Sequence, residues 1–408
     1  MKERFLQPRV RAALNDTPAV FVQGPRQSGK TTLVQGLPGK RDYLTFDDAV
    51  AMGAARVDPQ GFVDGLPERV VLDEVQRIPE LFVALKRAID RDRKPGRFLL
   101  TGSANALLLP RVSESLAGRM EVLTLLPFSQ GELDEREESF VAACFGSDFR
   151  PPRVAGELWP QLADRLLRGG YPEASTRHDP ARRRAWFGSY LTTILQRDIR
   201  DLANIEGLTE LPRLLRVIAA RSASLLNYSD VARDLALPQS TLKRYWALLE
   251  ATFLVTTVPA WSTNLGKRMV RAPKVLLGDT GLAAHLLGLD PTLLAADPTM
   301  AGRLLENFVG TEIQKQLGHS PVMASLFHYR THGQEEVDFI LESASGKVVG
   351  IEVKKTASPG ADDFKGLQRL AAALGPRFHR GILLHCGESA VSFGAHLHAL
   401  PVSALWQL

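Results

Sequence analysis

The chain is expected to be an α/β protein, with a parallel sheet covered by helices, a helical middle and a second α/β region near its C-terminal end. Two observations predict this. Short β-rich apolar runs at 19–23, 42–46, 69–73, 97–101 and 120–125 alternate with helical stretches, the pattern of helices crossing between parallel strands. The central runs are nearly all Val, Leu, Ile or Phe, as strands buried on both faces require.

Composition sets the frame. A chain of 408 residues can hold two or three domains, and 45% hydrophobic with 23% charged residues is ordinary globular composition. The net charge of +5 is a small excess over this length, too small by itself to argue for nucleic acid. Cys144 and Cys386 are the only cysteines, which excludes a disulfide scaffold or a cysteine zinc site and fits a reducing compartment. The charges at Lys2, Glu3 and Arg4 precede no apolar core, and no window approaches the ~18–20 apolar residues of a membrane helix. The expected location is the cytoplasm, with no membrane partner.

The first strand candidate runs into Gly24-Pro25-Arg26-Gln27-Ser28-Gly29-Lys30-Thr31, a G-x-x-x-x-G-K-[ST] loop in strand–loop–helix context. The glycines let main-chain N–H groups approach phosphate oxygens, and the helix carrying Thr32, Leu33 and Val34 opens toward the same anion. Lys30 would reach the β- and γ-phosphates and Thr31 would join a magnesium shell. The expected ligand is ATP with Mg²⁺. The apolar strand at 69–73 ends in Asp73-Glu74, where open sheets place their ligands. Asp73 is the candidate metal ligand, and Glu74 the candidate base for an attacking water. The strand at 97–101 ends in Gly102-Ser103-Ala104-Asn105. Thr101 or Ser103 would either touch the γ-phosphate or lytic water, or cap the next helix.

These residues, with Leu72-Asp73-Glu74-Val75-Gln76-Arg77, Leu100-Thr101-Gly102-Ser103-Ala104, Leu116-Ala117-Gly118-Arg119, Leu126-Pro127-Phe128-Ser129, Gly169-Gly170-Tyr171-Pro172 and the run from Leu276 through Asp279 to Leu282, carry a resemblance. The chain resembles the bacterial and archaeal AAA+-like ATPases that end in a DUF4143 domain. The resemblance implies an ASCE-type P-loop sheet, with the Thr101 strand between the Gly24 and Asp73 strands. It makes Ser103 the sensor-like residue. Arg119 resembles the family's arginine near the nucleotide end of the sheet, acting as an arginine finger in trans or as a structural cap on its loop. Association of subunits into a homo-oligomer stays open.

Composition shifts after Pro127-Phe128-Ser129, and Arg150-Pro151-Pro152 reads as a linker. The apolar spacing of 160–249 is helical (Leu211, Leu214, Leu215, Ile218) and 253–258 is β-rich. A helix is expected at 302–316, and strands at 326–330, 336–341, 347–354 and 380–385. Three domains follow: 1–135, 155–295 and 300–408. The stretch 225–250 resembles a helix-turn-helix with a wing. Ser229 would cap the first helix, Pro238 would break the chain, and the second would present Thr241, Lys243, Arg244 and Tyr245. The basic residues from Lys267 to Arg271 would lie on a wing strand. This unit either contacts DNA or serves as a packing module.

Near the C-terminal end, Asp338 precedes Glu352-Val353-Lys354. Alternate strand residues share a face, so Glu352 and Lys354 point together and Asp338 can join from the neighbouring strand. The pattern resembles the PD-(D/E)xK nuclease fold, with Glu306 matching the acid that precedes its core. The acids would bind magnesium and Lys354 would orient water or phosphate, or the domain persists as an inactive scaffold. The expected function is a Mg²⁺-dependent ATPase that couples nucleotide state to a C-terminal region engaging DNA or another partner. An ATP-regulated metal-dependent nuclease and a non-hydrolysing switch or DNA-binding adaptor are the alternatives.

Overall fold

In the computed structural model, which describes residues 2–105, 118–147, 149–151, 154–200, 208–264, 266, 268, 271–331 and 335–408, the five apolar runs form one parallel sheet. Its strands are β1 (Ala19–Gln23), β2 (Asp42–Thr45), β3 (Val70–Asp73), β4 (Phe98–Gly102) and β5 (Met120–Thr124). Their order is β2-β3-β4-β1-β5, and every pairing is parallel. β4 therefore lies between β1 and β3, as the resemblance implies. Side chains alternate between two cores. Phe21, Leu72 and Leu100 meet Leu81, Phe82 and Leu85 of helix Leu81–Arg91. Val20, Val22, Val71 and Leu99 meet Val10 and Leu14 of helix Gln7–Asp16 on the other face.

Parallel strands all end on the same side, which gathers Gly24, Asp73-Glu74 and Thr101–Ser103 along one edge. Arg119 is on the opposite edge. It immediately precedes β5, whose first residue, Met120, pairs in register with Ala19 at the start of β1. The expected place of Arg119 near the nucleotide end is thereby corrected. Its guanidinium is held by both carboxylate oxygens of Asp90, at 2.6 and 2.9 Å.

The chain divides into two compact units, Met1–Pro127 with Trp246–Leu254 and Phe128–Tyr245 with Val255–Leu408. Composition suggested three domains, yet the middle helices and the C-terminal sheet share a unit. One reason is helix Pro298–Leu317, whose buried Glu312 accepts from the Gln130 N–H (2.8 Å) and whose Lys315 Nζ donates to the Phe128 carbonyl (3.0 Å). The compositional shift at Pro127 coincides with the boundary.

Helices Leu211–Ala220, Tyr228–Leu235 and Gln239–Ala251, the last passing into the first unit at Trp246, precede an antiparallel pair, β6 (Val255–Val258) and β7 (Lys274–Leu277), with Leu225 bridging to Lys274. Asn227, not Ser229, caps the helix Tyr228–Leu235 by accepting from the Ser229 and Asp230 N–H groups. Ser229 Oγ instead accepts from Gln239 Nε2 (2.9 Å). The last sheet holds β8 (Ala324–Arg330), β9 (Glu336–Ser343), β10 (Val348–Lys354), β11 (Phe378–His385), β12 (Val391–Ser392) and β13 (Leu397–Pro401), in the order β12-β13-β11-β10-β9-β8. β8, β9 and β10 form an antiparallel meander, and helix Lys365–Leu374 crosses over so that β11 runs parallel to β10. Among the described residues, no helix is long and apolar enough to cross a membrane.

Asn307, fully buried on helix Pro298–Leu317, completes the edge of β7. Its Oδ1 accepts from the Leu277 N–H (2.7 Å) and the Ser222 hydroxyl (2.5 Å), and its Nδ2 donates to the Leu277 carbonyl (3.1 Å). Asn307→Ala leaves these buried groups unpaired and should cost about 2–4 kcal/mol in urea unfolding. A loss within ~0.5 kcal/mol, the usual range of surface changes, would show that the carboxamide does not hold the strand.

Candidate functional site

The loop after β1 needs its glycines. Gly24 has φ 154°, and a Cβ there would run into the Leu125 carbonyl oxygen. Gly29, at φ 93°, turns the chain into helix Lys30–Gln35. Lys30 is 5% exposed and folds back so that Nζ donates to the carbonyls of Gly24 (2.9 Å) and Pro25 (2.8 Å). Ser28 Oγ is buried with no hydrogen-bond partner. Arg26 is half-buried, whereas Gln27 and Thr32 are exposed. Beneath the loop, buried Arg4 donates to the Ser28 carbonyl (2.6 Å) and the Leu126 carbonyl (2.7 Å).

The acids stand beside it. Asp73 Oδ2 accepts from Thr31 Oγ1 (3.0 Å) and Tyr43 Oη (2.5 Å), and Oδ1 accepts from Thr101 Oγ1. The Glu74 N–H donates to Thr101 Oγ1 (3.2 Å). Glu74 has φ 59°, which turns it out of the line of β3. Its Oε2 accepts from Gln76 Nε2 (2.5 Å) and Ser103 Oγ (3.1 Å). Burial, then the hydrogen bond and charge of Asp73, pushes the Tyr43 phenol above its usual pKa. The capping alternative for Ser103 concerns residues 106–117, outside the described residues.

These groups fit a triphosphate with magnesium. A hydroxyl and a carboxylate oxygen lie together as hard donors, an unpartnered hydroxyl sits in the loop, and a buried lysine is bonded to two loop carbonyls. Arg4, Tyr43 and Gln76 escaped sequence reasoning. Gln76 stood inside a quoted motif, while Arg4 and Tyr43 carry no signal in their spacing.

Of the helix-turn-helix residues, Lys243 and Arg244 are exposed, Thr241 is half-buried and Tyr245 is buried. The presentation expected of Tyr245 is thus corrected: its ring packs inward. Lys267, Met269 and Val270 lie outside the described residues. Arg268 donates to Glu342 at 2.6 and 3.1 Å and to the Ser262 carbonyl at 2.5 Å. Arg268 and Arg271 precede β7, which begins at Lys274, so neither lies on that strand.

Glu306, Asp338, Glu352 and Lys354 do converge, lining one cavity of about 520 Å³. The β9–β10 ladder pairs Phe339 with Ile351, and the Val353 N–H is taken by Asp338 Oδ2 (2.8 Å). Lys354 Nζ donates to Glu352 Oε1 (2.7 Å), and Glu352 Oε2 is buried without a partner. Sequence reasoning missed Lys274, whose Nζ pairs with Glu306 and lies 3.5 Å from Asp338 Oδ1. A single lysine opening an apolar strand was the only signal. Burial, then the Asp338 charge, pushes Glu306 and Glu352 up to about 8. Burial opposes the charge on Lys274, but Asp338 and Glu306 outweigh it and hold the ammonium above its usual range.

An AAA domain family matches residues 16–134, a domain of unknown function (DUF8612) residues 160–293, and a domain of unknown function (DUF4143) residues 301–405. The chain is 34% identical over 360 residues to the uncharacterized protein Rv2008c of Mycobacterium tuberculosis, covering 88% of this chain and 75% of that protein. The uncharacterized protein Mb2031c of Mycobacterium bovis matches with the same values. Among solved structures, a Walker-type ATPase of Pyrococcus abyssi is similar at TM-score 0.41 and 15% identity, over 70% of this chain and 96% of that one.

Gly24→Ala should raise the Kd for a fluorescent ATP analogue roughly tenfold or more, a loss of at least ~1.4 kcal/mol. Gly39, also at positive φ but with open space around it, is the control. Equal affinity in the two variants would remove the steric requirement at Gly24.

Proposed function

The chain belongs to the AAA+-like P-loop ATPases that carry a C-terminal DUF4143 domain, and we propose that its first unit hydrolyses ATP, with Glu74 as the base. The observation that carries this reading is the continuous hydrogen-bonded chain from Thr31 through Asp73 and Thr101 to Glu74, Ser103 and Gln76. It ties the phosphate loop to a carboxylate held by two side-chain donors.

Lys30 supplies positive charge, exchanging its hold on the Gly24 and Pro25 carbonyls for phosphate oxygens. Thr31 and Asp73 would hold magnesium, which would supply charge neutralisation at the phosphates. Thr101 keeps the Asp73 carboxylate in place and accepts the Glu74 N–H. Ser103 and Gln76 orient Glu74, which accepts a proton from water after one of these donors lets go. Arg119 can serve a neighbouring subunit only by leaving Asp90.

We further propose that the second unit offers a DNA-contacting face. The order of three helices and two antiparallel strands, with the Leu225–Lys274 bridge as a third strand position, supports a winged-helix reading. Lys243 and Arg244 are exposed on the second helix of the turn, where recognition helices carry their contacts. Nucleotide state in the first unit would then govern how this face is used.

Lys30→Ala should abolish saturable ATP binding, whereas Glu74→Gln should bind ATP and turn it over roughly 10²–10⁴-fold more slowly. Steady-state phosphate release with and without duplex DNA measures both, and full turnover by Glu74→Gln removes the base assignment. The double substitution Lys243→Ala with Arg244→Ala should lower the salt dependence of duplex binding by about two counterions. An unchanged slope in fluorescence anisotropy argues for a packing module.

A further inference from the structure

Lys274 opens a strand whose other residues, Val275, Leu276 and Leu277, are apolar, and it is 3% exposed. A lysine enters an interior at this depth only where opposite charge meets it. The ammonium meets three acceptors from two elements. It pairs with the Glu306 carboxylate of helix Pro298–Leu317, donates to the Asp338 main-chain carbonyl of β9 (3.2 Å) and lies 3.5 Å from Asp338 Oδ1.

A divalent cation in this cavity would need converging oxygens from the same acids, at about 2.0–2.1 Å for magnesium. Four of those oxygens already face protein donors. Glu306 Oε1 and Asp338 Oδ1 face Lys274, Asp338 Oδ2 accepts the Val353 N–H, and Glu352 Oε1 accepts from Lys354. Glu352 Oε2 is buried and without a donor. Among the described residues, no three His, Cys, Asp or Glu side chains are gathered to hold a metal ion. The residues present do not fit the metal that the nuclease resemblance implies.

We propose that the Lys274 ammonium is the resident cation of this cavity, standing between Glu306 and Asp338 where a divalent metal would otherwise have to bind. The C-terminal sheet then keeps the acid constellation as a metal-independent scaffold. The lysine also joins β7 to helix Pro298–Leu317 and β9, so the hairpin and the sheet are tied through the space a metal would fill. This inference is independent of ATP hydrolysis by the first unit.

The test uses the full chain without nucleotide, titrated with Mn²⁺ and followed by electron paramagnetic resonance and thermal unfolding. The wild-type chain should show no saturable Mn²⁺ site that Asp338→Asn or Glu352→Gln removes, and no cavity-dependent rise in Tm. Lys274→Met, which keeps the length and removes the charge, should unfold at lower temperature and gain one Mn²⁺ site. Mn²⁺ should restore its Tm, because a ligand bound only by the folded state stabilises it. Adding Asp338→Asn to Lys274→Met should erase that gain. Wild-type Mn²⁺ binding lost on Asp338→Asn, or Mn²⁺-dependent DNA cleavage lost on the same substitution, overturns the proposal. A folded Lys274→Met chain that takes up no Mn²⁺ also overturns it. Where Lys274→Met fails to fold, the wild-type titration against Glu352→Gln decides alone: a cavity site refutes the proposal, and its absence supports it.

Discussion

A charge carried into a protein interior loses its water, at a cost of several kcal/mol per ion, and has to meet opposite charge or ordered dipoles there. Both candidate sites of this chain are arranged around that demand. Lys30 is buried and held by two carbonyl dipoles of its own loop, an arrangement that an arriving triphosphate can replace with full negative charge. Asp73 is buried among three hydroxyls, from Thr31, Tyr43 and Thr101, which satisfy its oxygens while leaving the acid beside the loop. In the second unit, Lys274 answers Glu306 and Asp338, and Lys315 answers Glu312.

The two sites meet the demand differently, and that difference separates their chemistry. Neutral hydroxyls and carbonyls are weak, exchangeable partners, so the loop of the first unit is set to trade them for a ligand. A lysine inserted between carboxylates is a strong partner fixed by the covalent chain. Removing one member of such a group leaves an unpaired buried charge. A resemblance to nucleases does not by itself carry nuclease chemistry, because chemistry belongs to the site and not to the sheet that presents it.

Buried polar groups also explain how the second unit is assembled. Glu312 and Lys315 take the main chain of residues 128–130, and Asn307 takes both backbone groups of Leu277. All three lie on helix Pro298–Leu317, so one helix holds the start of the unit, the middle hairpin and the C-terminal sheet. The sequence pattern alone divided the same stretch where helical spacing gives way to mixed α and β, since partners distant along the chain leave no local signal.

Local pattern was enough for several parts. Apolar runs of strand length marked the parallel sheet, most plainly at β1, β3 and β4, because strands covered on both faces have no polar alternation to hide them. The G-x-x-x-x-G-K-[ST] spacing marked the loop, because glycine suits the positive φ at Gly24 and Gly29 and the close approach of the Leu125 carbonyl at Gly24. Strand alternation put Glu352 beside Lys354, and Asp338 joined them from the adjacent strand. What stayed hidden were partners distant along the chain. Arg4 under the loop, Tyr43 on Asp73 and Lys274 among the acids are single residues whose meaning depends on what lies across from them. Arg119 went astray for a related reason: which end of a parallel strand faces the ligand follows from sheet direction. Periodicity reports which way a side chain points within its own element, and only the folded chain decides which charge it meets there.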